Sequence, residues 1–205
     1  YWNTKTQYRR KSEFYNIKYL IVIHKLSTFA SNLIIKKYKM AKITLGNNPA
    51  NTSGYLPKIG EQAKDFCLIG KDLEEVSLNN FQGERIIMNI FPAIDTGVCG
   101  TSVRNFNINA ANLSNTKVLC ISRDLPFSHN RFCGAENIEN VVTLSDFVSG
   151  DFGNNYGLTI LDGAFANLHS RCIIVLDESH KIIYTEQVDE ISSEPNYEKA
   201  IAALN

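Results

Sequence analysis

The sequence predicts an α/β fold, a mixed central sheet flanked by helices and preceded by an N-terminal β-hairpin. Three observations carry that expectation. Short apolar runs alternate with helical periods from residue 66 onward, one of them, Arg85–Phe91, is apolar almost throughout, and the chain closes on two apolar runs joined by Asp177–His180 and followed by a helix. A continuous apolar run marks a strand covered on both faces, hence the centre of the sheet.

In chain order, Met40 to about Gly60 is rich in Asn, Gly and Pro around the strand-like Ile43–Leu45, and reads as a hairpin or arm. Phe66–Gly70 and Arg85–Phe91 read as strands. Val98, Val103, Phe106, Ala110 and Leu113 recur at helical spacing, and Lys117–Ser122 returns to strand. Phe127–Ile138 reads as a short helix, Val141–Leu144 as a strand, and Asp151–Gly163 as a Gly- and Asn-rich loop with room for one helical turn. Cys172–Leu176 and Lys181–Tyr184 form the terminal hairpin, and Pro195 opens a last helix over Tyr197–Leu204, where proline is tolerated in the first turn. The arrangement is thioredoxin-like.

With 205 residues, 44% apolar and 20% charged, the chain suits one compact domain with a real core. Its zero net charge hides an asymmetry: residues 1–39 carry nine Lys or Arg and one acid, residues 40–205 twelve against twenty. The basic segment fits an organelle transit peptide or a secretory signal poorly, since its apolar run Tyr19–Ile23 is broken by His24 and Lys25 and is far too short to span a bilayer. Residues 1–39 are therefore expected to be a non-native or disordered extension, with Met40 the start of a domain over 40–205. No clear period organises the basic residues into a nucleic-acid or membrane surface.

Five cysteines, Cys67, Cys99, Cys120, Cys133 and Cys172, form an odd count without a convincing signal, which points to a reducing, cytoplasmic compartment, or an organellar one if residues 1–39 are a true transit peptide. Cys99 stands apart. It follows the buried strand in Phe91-Pro92-Ala93-Ile94-Asp95-Thr96-Gly97-Val98-Cys99 and falls in the first turn of a helix, where free backbone N–H groups and the helix dipole favour a thiolate over a thiol. Polar Asp-Thr-Gly before it and Gly-Thr-Ser after it are poor core and good helix-start chemistry. Thr96 can turn its hydroxyl toward the sulfur, and Pro92 shapes and shields the loop. Arg171 is the candidate cation, because a charge opening a buried strand is costly unless it meets an anion.

Cys67, Cys120 and Cys172 lie in apolar strand runs and read as core filler. Cys133, in the polar, Arg-flanked Asn130–Glu136, is expected to be exposed enough to resolve an oxidised Cys99. No C-x-x-C occurs, which argues against a dithiol oxidoreductase, and a zinc site from Cys99, His129 and Cys133 lacks paired-ligand spacing, so no metal or cofactor is expected. Asp151-Phe152-Gly153 is read as a loop tripeptide without the other kinase motifs. His24, His169 and His180 have no evident partner and are expected at the surface.

Thr96-Gly97-Val98-Cys99 within Phe91–Phe106 resembles the active-site segment of thiol peroxidases, the atypical two-cysteine peroxiredoxins. Ser122-Arg123-Asp124-Leu125-Pro126-Phe127 leading to Arg131-Phe132-Cys133-Gly134-Ala135-Glu136 resembles that branch's resolving-cysteine segment, and Val188–Ile191 with Glu194–Tyr197 its C-terminus. The resemblance runs from about Ala41 to Leu204. It implies a peroxidatic Cys99, a resolving Cys133 that closes a Cys99–Cys133 disulfide, activation by Thr96 and Arg171, a homodimer, hydrogen peroxide or organic hydroperoxides as substrate, and thioredoxin as reductant. Gly100 where Ala is more usual, Arg123 in place of a small residue, and Ala164-Phe165 in place of Pro-Leu are departures. A peroxide sensor that hands its oxidation to a partner, and a redox-silent binding module in which Cys99 serves packing, are the rival readings.

Overall fold

The computed structural model describes residues 40–205; the expectation for residues 1–39, His24 included, lies outside the described residues. Strands β1 (Lys42–Leu45) and β2 (Asn48–Asn51) pair antiparallel as the expected N-terminal hairpin, turning through Gly46 and Asn47, both at positive φ. Such two-residue turns match the twist of the strands that they join, and Gly and Asn tolerate the left-handed backbone they need.

The main sheet has seven strands: β3 (Cys67–Ile69), β4 (Glu75–Ser77), β5 (Arg85–Ile90), β6 (Thr116–Ser122), β7 (Val142–Ser145), β8 (Cys172–Leu176) and β9 (Ile182–Gln187), in the order β4-β3-β7-β6-β5-β8-β9. β5, β6 and β7 run parallel; the remaining pairs are antiparallel. Parallel neighbours require a crossover, and helices α1 (Gly97–Ala110) and α2 (Pro126–Glu136) supply the two. A short α3 (Asp151–Asn155) and a C-terminal α4 (Tyr197–Ala202) are the other α-helices among the described residues, and Leu78–Phe81 forms a 3-10 turn.

β5 is central, as its apolar run requires, and period two sorts its side chains. Ile86, Met88 and Ile90 join Leu68, Leu119, Ile121, Ile174, Phe152 and Tyr156 in one core. Ile87 and Phe91 join Val118, Ile173 and Val175 beneath Val103, Phe106 and Cys99 of α1 and Ala200 of α4 in the other. The sheet is covered on both faces, and the second core seats the helix that carries Cys99.

Several elements differ from expectation for local reasons. β4, too short and polar to show a period, pairs with β3 as an edge hairpin. Cys67 is exposed: alternation in β3 turns Phe66 and Leu68 inward and the thiol outward on a strand near the edge. Asp151-Phe152-Gly153 opens α3, with Phe152 buried against Phe66. His169 and His180 are buried rather than at the surface, because each finds a partner far away in sequence: His180 Nε2 lies 2.9 Å from the Phe81 carbonyl, and His169 Nε2 lies 3.2 Å from Asp146 Oδ2.

Candidate active site

Cys99 lies at the third position of α1, in its first turn, fully buried. Thr96 is the N-cap residue with extended backbone (φ −88°, ψ 148°), and its carbonyl accepts from the Gly100 N–H at 2.9 Å. Its hydroxyl donates to the Ala93 carbonyl at 3.0 Å, which braces the loop rather than reaching the sulfur. Pro92, buried, makes the turn out of β5. Below Cys99, Ser102 Oγ donates to the Cys99 carbonyl at 2.8 Å and accepts from Asn89 Nδ2 at 3.2 Å. Asn89, the one polar residue within the apolar run Ile86–Phe91, is thus a tie between β5 and the helix that carries Cys99; that interruption was its only signal in the sequence.

Arg171 immediately precedes β8 and is 2% exposed. Its Nη2 donates to Cys99 Sγ at 3.2 Å, and its Nε donates to the Ile191 carbonyl at 2.8 Å. Nη1 is buried without a partner among the described residues. A buried guanidinium therefore faces the thiol with one donor group to spare. The Arg171 carbonyl accepts from Val188 N–H and Gln187 Nε2, both at 3.0 Å, so its backbone is held as well.

Cys133 sits in α2, half-buried, against the same apolar cluster that contains Cys99. It also lines a groove of about 600 Å³ with Lys71, Asn130 and Val142. Burial pushes its thiol up, with nearby Lys71 opposing. All five thiols are free, so the two cysteines are not joined in this state. Cys120 and Cys172 are fully buried, as expected, and burial pushes the Cys120 thiol up to about 12. Neither is fit to act as a thiolate nucleophile.

The loop and helix of Cys99 are pinned to α2 by contacts invisible to local pattern. Asp124 accepts from the Ile94 N–H at 2.8 Å and from Ser122 Oγ at 2.6 Å, and Ser122 Oγ lies 2.8 Å from the buried ring of His129. Burial holds His129 below the ordinary imidazole range, against the pull of Asp124. Arg131 pairs with Asp95, and Arg104 makes a two-point bond to Glu136 at 3.0 and 2.9 Å while lying over the Phe132 ring.

The family model described as Redoxin matches residues 58–201, and the chain is 51% identical over 166 residues to the thiol peroxidase of Corynebacterium glutamicum, spanning 81% of this chain and 100% of that protein. The chain belongs to the Redoxin family. A peroxiredoxin-like protein from Aquifex aeolicus superposes with a TM-score of 0.75 at 33% identity, over 80% of this chain and 96% of that one. A thiol peroxidase from Chromobacterium violaceum gives 0.74 at 18% identity, over 78% and 93%, a likeness of fold. Membership of this Redoxin branch sets the enzyme class: the chain is a thiol peroxidase, an oxidoreductase of the peroxiredoxin kind with a thioredoxin-like fold.

Proposed function

We propose that this peroxidase reduces hydrogen peroxide and organic hydroperoxides through a sulfenic acid on Cys99 and a Cys99–Cys133 disulfide, recycled by thioredoxin. The observation that carries the reading is Arg171 Nη2 at 3.2 Å from Cys99 Sγ inside the protein, with Nη1 unpartnered among the described residues. The Cys99 thiolate attacks the distal peroxide oxygen; the O–O bond breaks, the sulfur becomes a sulfenic acid, and the departing oxygen takes a proton to leave as water or an alcohol. Arg171 stabilises charge as that bond breaks, Thr96 braces the loop and stands ready to bond a peroxide oxygen, and Pro92 keeps bulk water from the sulfur.

Cys133 then loses its proton and attacks the sulfenic sulfur, forming the disulfide and releasing water. A thioredoxin dithiol restores both thiols and is itself oxidised. The two cysteines occupy separate helices, and a disulfide needs Cα atoms within about 4.4 to 6.8 Å, so both segments unwind in part as the bond forms. The catalytic unit is residues 40–205, acting as a homodimer in a reducing, cytoplasmic compartment. No helix among the described residues is long and apolar enough to cross a membrane.

The test is peroxide consumption coupled to thioredoxin, its reductase and NADPH. Activity is expected to vanish in Cys99→Ser, and Cys133→Ser is expected to stall as a sulfenic acid. A wild-type protein that consumes no peroxide sinks the reading.

A further inference from the structure

We propose that Glu190 is a positioning residue for the peroxidase: its carboxylate clamps the turn of the N-terminal hairpin and thereby fixes the Ile191 carbonyl that aims Arg171 at Cys99. The inference rests on the reading of Arg171 and Cys99 given above. Five donors converge on this one carboxylate. Oε1 accepts from the N–H groups of Gly46 and Ser192, each at 3.0 Å, and from Ser192 Oγ at 2.5 Å. Oε2 accepts from the Asn47 N–H at 3.0 Å and from Thr44 Oγ1 at 2.7 Å. Hydrogen bonds from Ser192 and Asn47 hold the carboxyl well below the usual carboxylate range, so it is ionised at any working pH.

The backbone on either side of Glu190 is laced to the same hairpin. Thr44 N–H donates to the Asp189 carbonyl at 2.7 Å, and Ile191 N–H donates to the Thr44 carbonyl at 2.9 Å. Ile191 is the end of that ladder, and its own carbonyl takes Arg171 Nε at 2.8 Å. Of the three guanidinium nitrogens, Nε is thus the one tethered to backbone, Nη2 meets the sulfur, and Nη1 has no partner among the described residues. The orientation of the fork depends on where the Ile191 carbonyl stands, and that carbonyl has no helix or main-sheet strand of its own to hold it. The hairpin, 143 to 146 residues upstream, does so through Glu190.

Glu190→Gln is the sharpest perturbation, because it keeps shape and removes one acceptor. An amide offers a single oxygen, so whichever way it turns, its NH₂ faces two or more of the donors now held by the carboxylate. A displacement of catalytic groups by about 1 Å costs up to about 100-fold in rate, and a tilt of the arginine by part of that is expected to cost about tenfold.

The experiment compares full-length wild type, Glu190→Gln and Thr44→Val by three readouts: the single-turnover rate of Cys99 oxidation by hydrogen peroxide, the pH midpoint of Cys99 alkylation by iodoacetamide read by peptide mass spectrometry, and the thermal midpoint. The proposal expects Glu190→Gln to oxidise about tenfold more slowly and its alkylation midpoint to move upward, since a misaimed guanidinium favours the thiolate less. A merely structural clamp lowers the thermal midpoint and leaves the alkylation midpoint in place, and that result overturns the proposal. Should Glu190→Gln not fold, Thr44→Val, which deletes one donor, is expected to move both Cys99 readouts the same way by about two- to fivefold in rate; unchanged values overturn the proposal equally. A wild-type Cys99 inert to peroxide defeats the peroxidase reading instead, while the alkylation midpoints still report on the link between Glu190 and Arg171.

Discussion

Replacing Arg171 by lysine probes the fork itself. The guanidinium holds the Ile191 carbonyl through Nε and the Cys99 sulfur through Nη2, and its Nη1 has no partner among the described residues, which in the proposed mechanism leaves it for substrate. Lysine keeps the positive charge, yet its single ammonium on a flexible stem cannot serve backbone, sulfur and peroxide at once. The loss is at least one preorganised donor aimed at oxygen as charge develops there. Deleting such a donor elsewhere costs about 100- to 1000-fold in rate, or roughly 2.7 to 4 kcal/mol. Retained charge offsets part of this, so kcat/KM for peroxide is expected to fall by about 100-fold in Arg171→Lys. Stopped-flow oxidation of Cys99 with limiting peroxide measures it, with circular dichroism to verify the fold. A variant within about threefold of wild type refutes the role of the fork, because a point charge alone then suffices.

Three further outcomes follow from the same geometry. Gly100→Ala gains about 1 kcal/mol of helix propensity, so α1 resists the unwinding that disulfide closure needs and the Cys133 thiol is expected to close on oxidised Cys99 several-fold more slowly, with Phe132, whose Cε2 and Cζ lie 3.2 and 3.3 Å from the added methyl, shifting to admit it; rapid-quench mass spectrometry reads the rate. Arg131→Ala removes an exposed pair with Asp95 worth about 0.2 to 1 kcal/mol, and disulfide closure is expected to speed up by about 1.5- to 5-fold while global stability changes little. His129 and His169 are both held below the ordinary imidazole range by burial, so the unfolded chain takes up protons first as pH falls. Stability is then fully present above about pH 6.5 and declines below it, by at most about 1.4 kcal/mol per pH unit for each histidine, and urea titrations at pH 7.5, 6 and 5 measure the slope.

Much of this architecture is legible in local pattern. The apolar run of β5 announced a central strand, the Asp-Thr-Gly before Cys99 announced a helix start, and a charge heading the apolar β8 segment pointed to Arg171. In each case the signal and its cause lie within a few residues. What was missed is nonlocal. His180 is satisfied by a carbonyl 99 residues away, and Glu190 meets its hairpin across more than 140. Neither has a period or motif. β4 is three residues long, and its pairing with β3 supplies what its composition lacks. Cys67 shows the opposite limit: lying within an apolar strand run it reads as core filler, whereas β3 is covered on one face and turns the thiol to the other.

The measurement that bears most directly on the central claim is disulfide mapping after one equivalent of hydrogen peroxide is added to reduced protein, with free thiols trapped at acid pH and peptides read by mass spectrometry. The account predicts a single linked pair, Cys99 with Cys133, with Cys67, Cys120 and Cys172 recovered as thiols. Cys99 recovered unmodified, or joined to any cysteine other than Cys133, contradicts it.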